Sequence, residues 1–321
     1  MNIETNERNR IRNFPIMMYA IVMGMSGLTI TYQKAHIWLD FPHIIATILM
    51  YITSGVFILV TIIYLLKFIK YNSCVKKEFS HPIRLNFFAA VSISMLMLAI
   101  IYKDYNLTLS SFLWYPATLL HFYLTMHTIS FWINRNQEID HSNPAWFIPI
   151  VGNLLVPVAG AGYVSNDILM YFFSVGIFFW LVLFTIIFNR IIFHHQLAVK
   201  FIPTLFIFIA PPAVAFLAYF KMYGVIDIFA QILFNIAIFF TLLIAFMYKN
   251  FLKIKFFISW WAFVFPIAAM AISSMLMYHE TNSFLGLLFS YFMVFITTII
   301  ILIVIYQTLK NITNHNVCVE E

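Results

Sequence analysis

Few residues in this chain have the spacing or setting to do chemistry on a bond. His121 and His127 are the histidines well within an apolar run, and six positions apart they fall on different faces of a helix. Haem ligation of the b type needs a histidine on a facing helix, and no second apolar run offers one. Their expected role is hydrogen bonding between helices. His194 and His195 fall at the end of a run and read as solvated. Cys74 and Cys318 lie in a loop and in a tail, in no pattern that indicates a disulfide framework or a metal site. No phosphate-cradling glycine loop, zinc-type His/Glu spacing or nucleophile–base motif is present. The expectation is a protein that is not an enzyme and carries no cofactor and no metal.

One stretch is placed to act physically instead. Trp260-Trp261-Ala262-Phe263-Val264-Phe265-Pro266 is followed by small residues from Ile267 to Ser274, inside an apolar segment that begins after Lys253 and Lys255. Ten residues of helix from Lys255 carry Phe265 about 15 Å inward, roughly half of a ~30 Å hydrocarbon core. Pro266 removes a backbone hydrogen bond and is expected to bend the helix there. A large ring at the midplane of a bent helix can close a pore. Most of the 37 phenylalanines only fill space or face lipid. Depth, the adjoining proline and the residues at the same depth in four other segments set Phe265 apart.

The elements that must position it follow from composition. The 321 residues are 63% hydrophobic and 9% charged, with a mean hydropathy of +0.92. Apolar runs of about 20 residues read as membrane helices. Ten are expected, near 15–33, 42–67, 82–102, 108–132, 144–163, 168–188, 202–220, 225–247, 255–278 and 283–309. The first reads as a retained span, with no cleavage site before Lys34. The fold class is all-α integral membrane. Its expected parts are a cytoplasmic tail over 1–14, a ten-helix transmembrane channel domain over 15–309 and a cytoplasmic tail over 310–321. Tails this short point to regulation through the membrane domain itself.

With the amino-terminus inside, fifteen Lys and Arg fall on the cytoplasmic side, against Lys34, Lys103 and Lys221 outside. That bias orients both termini inward. The net charge of +6 then reflects topology and anionic lipid, and gives no reason to expect a nucleic-acid partner. The odd-numbered segments run from inside to outside and hold nine of the eleven prolines. About ten residues into each comes something small, polar or kinking. These positions are Gly24 and Gly27; Ser92 and Ser94; Gly152, Asn153 and Pro157; Pro211 and Pro212; and Phe265 with Pro266. Five such helices aligned in depth predict a ring around a shared lumen, with the even helices outside. The competing explanation is close helix packing by small residues.

These residues resemble the tellurite-resistance/dicarboxylate transporter family, which includes bacterial TehA and the slow anion channels of plant guard cells. The likeness rests on Met18-Tyr19-Ala20-Ile21-Val22-Met23-Gly24, on Asn143-Pro144-Ala145-Trp146-Phe147-Ile148-Pro149-Ile150-Val151-Gly152, on Ala210-Pro211-Pro212-Ala213 and on Trp260 to Pro266. The resemblance implies five helical hairpins in quasi-fivefold order around a central pore and a homotrimer with one pore per protomer. It implies that Phe265 occludes that pore, packed against Gly24. No Asp, Glu, Lys or Arg lies well inside any run, whereas a proton-coupled carrier of dicarboxylates calls for such groups. The expected function is therefore a passive channel for small inorganic anions (chloride, nitrate) in a bacterial inner membrane. The alternatives are a secondary exporter of dicarboxylates, tellurite or sulfite and, from another class, a membrane haem protein or enzyme.

Overall fold

The computed structural model describes residues 10–314 together with Val317 and Cys318. Arg8, the rest of 1–9 and parts of the carboxy-terminal tail (315–316 and 319–321) lie outside the described residues. Among the described residues the fold is all-helical, with eleven α-helices and no strand. They are α1 (Tyr19–Leu39), α2 (His43–Lys70), α3 (Asn72–Phe79), α4 (Ala89–Tyr102), α5 (Leu107–Asn134), α6 (Ile148–Gly160), α7 (Asn166–Phe193), α8 (Ala210–Tyr223), α9 (Ile228–Phe246), α10 (Val264–Thr281) and α11 (Phe284–Thr313).

Eight stretches are long and apolar enough to cross a membrane, so the chain is a multi-pass membrane protein. Two of the ten expected segments fall short of that measure. The Pro144–Gly160 stretch is apolar but short. α5 is 28 residues long, but Ser110, Thr118, His121, Thr125 and Thr128 dilute its apolar character.

Packing sorts the helices into two classes. α1 packs on α4, α4 on α6, α6 on α8, α8 on α10, and α10 back on α1, so these five close a ring. Each carries the long helix that follows it: α2 on α1, α5 on α4, α7 on α6, α9 on α8 and α11 on α10. Burial follows the same division. The stretches containing α1, α4, α8 and α10 are 72–78% buried, and all thirteen residues of α6 are buried. α2, α7, α9 and α11 are 22–33% buried, leaving Ile, Leu and Phe side chains on the outside. In water such a surface would drive aggregation. In a bilayer it is the lipid face.

Each ring helix is entered through a 3-10 segment: Ile16–Met18, Arg84–Phe88, Pro144–Phe147, Val199–Ile209 and Ile258–Phe263. This differs from the expected kink inside a continuous helix. Pro149 is the second residue of α6, Pro211 and Pro212 are the second and third of α8, and Pro266 is the third of α10. In the first α-turn the missing N–H would have had no intrahelical partner, so proline costs nothing there. Its ring disfavours α geometry just before it, and the tighter 3-10 winding takes over on that side. The prolines thus mark where the winding changes.

The face carrying the amino-terminus is fixed by a buried ion pair. Lys67 Nζ lies 2.8 Å from Glu78 Oε2 and also donates to the Phe14 carbonyl at 2.8 Å. Tyr64 donates to the same carboxylate at 3.0 Å, and the Ile16 amide reaches Glu78 Oε1 at 3.4 Å. A buried pair of this kind holds a geometry more than it adds net stability. Here the geometry held is the entry of the chain into α1.

Candidate functional site

Three spaces lie in series along the ring. The first, about 270 Å³, opens on the amino-terminal face among Arg12, Lys67, Lys77, Glu78 and Arg84. The second, about 50 Å³, shares Met17 and Ile258 with the first and is walled by residues of every ring stretch. The third, about 80 Å³, lies towards the opposite face. Phe265 is the single residue that lines both the second and the third.

The walls follow helical spacing. On α1 they are formed by Ala20, Met23, Gly27, Ile30 and Lys34, and on α4 by Ala90, Ile93, Met97 and Ile100. Ile148, Val151, Leu155 and Val158 serve on α6, and Ala210, Val214, Leu217 and Lys221 on α8. On the ninth stretch the sequence is Ala262, Phe265, Ala269, Ile272 and Leu276. Steps of three and four residues keep one face of each helix turned to the lumen. Phe265 is 8% exposed and sits on this stripe where it borders both the second and the third space.

Of the residues singled out by sequence, Gly27, Phe265 and Pro266 line these spaces. Gly24 does not, and it is not the glycine against Phe265. A Cβ on Gly24 would lie 2.7 Å from Trp261 Cε3, whereas one on Gly27 would lie 3.7 Å from Phe265 Cα and 2.9 Å from Ala268 Cβ. The contact expected at Gly24 falls one helical turn further on. Trp261 is anchored by its Nε1, which donates to Thr308 Oγ1 of α11 at 3.0 Å.

Ser92, Gly152 and Asn153 differ from the lumen placement expected of them, because they turn towards α5. His121 Nδ1 is 2.9 Å from Ser92 Oγ, and Nε2 is 3.1 Å from the Pro149 carbonyl. Asn153 Nδ2 donates to Thr125 Oγ1 at 3.1 Å and to the Pro149 carbonyl at 3.0 Å. A Cβ on Gly152 would come within 2.0 Å of His121 Cε1, so only glycine admits the imidazole. His121 therefore serves as an interhelical hydrogen-bonding group. Ser94 bonds the Ala90 carbonyl at 2.7 Å, Pro157 is buried inside α6, and Pro211 and Pro212 are buried in the first turn of α8. None of these four touches the second or third space.

Sequence reasoning missed the lysines of the opposite face as members of a site. Lys34, Lys103 and Lys221 all line the third space, with Asp104. Lys34 Nζ is 3.2 Å from Asp104 Oδ2. Lys103 Nζ donates to the Ala159 carbonyl at 3.0 Å and to that of Ala161, and stands 4.7 Å from the Tyr163 ring. Burial, reinforced by the charge of Lys221, pushes the Lys103 ammonium down to about 8. The available signal was positional: each lysine is the next step of a lumen-facing stripe.

Comparison with known proteins shows the family of the chain. Residues 13–309 match the family model described as SLAC1, voltage-dependent anion channel. The chain is 32% identical over 266 residues to the S-type anion channel SLAH2 of Arabidopsis thaliana, covering 80% of this chain and 51% of that protein. It is 28% identical to the transporter MJ0762 of Methanocaldococcus jannaschii, covering 84% and 86%. The tellurite resistance protein TehA homolog of Haemophilus influenzae is 24% identical, with 92% and 91% covered. The chain thus spans about half the length of the plant relative and most of the length of the two prokaryotic ones. With its all-helical ring and a match running from Asn13 to Leu309, the chain belongs to the SLAC1 voltage-dependent anion channel family.

Proposed function

We propose that the protein is a passive channel for small inorganic anions, chloride or nitrate, closed at mid-depth by the ring of Phe265. The observation that carries this reading is that Phe265 alone borders both central cavities. All ten helical stretches, the short Pro144–Gly160 one included, then span the bilayer as five hairpins in quasi-fivefold order, the ring helices inside. Fifteen of the eighteen Lys and Arg on the amino-terminal side orient that face to the cytoplasm. The resemblance to bacterial members supports a homotrimer in an inner membrane, each protomer with its own pore.

Among the described residues no charged side chain lines the second cavity, whose polar contributors are Thr204 and Ser259. A passive pore needs no fixed charge there, since width, partial charges and a hydrophobic constriction suffice for control. A second reading, a secondary exporter, draws on the tellurite-resistance relative covered along 91% of its length. Such a carrier would show flux that saturates and follows a proton gradient.

The test is electrical recording or liposome anion flux of wild type against Phe265→Ala. Removing the ring raises chloride and nitrate conductance and leaves anion selectivity in place. Unchanged or lost flux in a folded variant overturns the gate, and the carrier reading then moves ahead.

A further inference from the structure

The apolar stripes of the lumen end in charge on three ring helices. Ile30 is followed at the next step by Lys34, Ile100 by Lys103 and Leu217 by Lys221, so each lysine continues the face that lines the cavity. The cavity they share holds one carboxylate, Asp104, which is engaged with Lys34 at 3.2 Å. Lys103 and Lys221 have no carboxylate of their own among the described residues. Two positive charges are therefore left facing a partly enclosed space at this end of the lumen.

We propose that Lys34, Lys103 and Lys221 form a binding site for a small monovalent inorganic anion, of halide or nitrate size, occupied before the anion meets Phe265. Its place on a permeation path rests on the channel reading; the binding itself rests on the three lysines and the cavity. A space of about 80 Å³ is large enough to admit one such anion together with water. An ammonium has three donors, and Lys103 gives two to carbonyls, so one N–H remains for the anion.

The plainer role of Lys103 is to cap the carbonyl end of α6, where a cation is favoured by the helix dipole. That role accounts for Lys103 alone. It leaves unexplained why Lys34 and Lys221, from two other helices, line the same cavity. The depressed pKa of Lys103 fits a site whose charges lack a partner, because burial and Lys221 both act against its proton.

The test uses the full chain in detergent, with nitrate replacing gluconate at constant ionic strength. Wild type is expected to gain thermal stability saturably with nitrate, as a ligand bound only by the folded state requires. Lys221→Met loses most of that gain, and Lys103→Met does the same where it folds. Asp104→Asn frees Lys34 and enlarges the gain. Lys103→Arg keeps it at pH 9, where wild type weakens. Lys253→Met, exposed on the other face, responds as wild type. A wild type without a saturable response overturns the proposal, as does a Lys221→Met protein that responds like wild type. The channel reading is scored separately: nitrate stabilisation with no flux through Phe265→Ala leaves the site and removes the channel, and the reverse result removes only the site.

Discussion

On the amino-terminal side of Phe265 the lumen is walled by Ala, Ile, Val and Met side chains, with Thr204 and Ser259 as its polar groups. On the far side the same helices bring Lys34, Lys103, Lys221 and Asp104 to a cavity of similar size. The two halves share their backbone plan and differ in charge. On the proposed channel reading, an anion between the charged mouth at Arg12, Lys77 and Arg84 and the ring of Phe265 would meet no fixed charge, so width and wetting would govern passage there. In the second half the proposed lysine site would concentrate anions beside Phe265. On that reading the difference is a division of labour: one half would resist, the other would collect, and Phe265 borders both.

The largest effect should come from abolishing that boundary. Phe265→Ala joins the two cavities, and anion conductance in planar bilayers is expected to rise on the order of tenfold or more once the hydrophobic constriction is gone. If the rise is confined to one direction of flux, the halves remain functionally separate and the boundary lies elsewhere.

Next in size is a pair of substitutions one helical turn apart on α1. Gly27→Ala puts a methyl 2.9 Å from Ala268 Cβ and 3.7 Å from Phe265 Cα, so α10 must shift at the constriction. Gly24→Ala meets the Trp261 ring at 2.7 Å, at the wall of the second cavity and one helical turn away from Phe265. Both cost about 1–3 kcal/mol of overpacking, read as a lower melting temperature. Gly27→Ala, which crowds Ala268 beside the Phe265 backbone, should change flux by a fewfold and by more than Gly24→Ala. Equal flux changes from both would detach the constriction from Gly27.

Much of this was legible in the sequence. Apolar length, charge bias and proline distribution gave the helical membrane class and the inner and outer helices, and Phe265 stood out by depth. The lumen register was harder to read. Ser92, Gly152 and Asn153 drew notice as small or polar residues in apolar helices, yet their polarity and space serve His121 on α5. The residues that line the lumen are Ala90, Ile93, Val151 and Val214 and others like them, chemically the same as core. An apolar pore gives no compositional contrast with an apolar interior, so only the stripe geometry separates the two. The lysines were hidden for the opposite reason. Lys34, Lys103 and Lys221 read as the minor side of the charge bias that orients the chain, although each sits one step beyond a lumen-facing residue.

The smallest expected effect concerns the charged half alone. The Lys103 ammonium, lowered to about 8 by burial and by Lys221, loses its proton as pH on that side rises from 7 to 9. Lys34 with its partner Asp104, Lys221 and the Tyr163 ring face it from neighbouring elements. Anion entry from this face should fall by about twofold, since one of several steering charges is removed. Lys103→Arg should flatten the profile. Stability moves the other way. An unfolded lysine keeps its proton up to the ordinary 10.5, so between about 8 and 10.5 the unfolded state binds more protons than the folded one, and in gluconate the fold gains stability as pH rises through that window. Entry that weakens while the melting temperature climbs would locate both effects at Lys103. Parallel loss of entry and stability would instead mean that alkaline unfolding, rather than the charge of the collecting half, sets the profile.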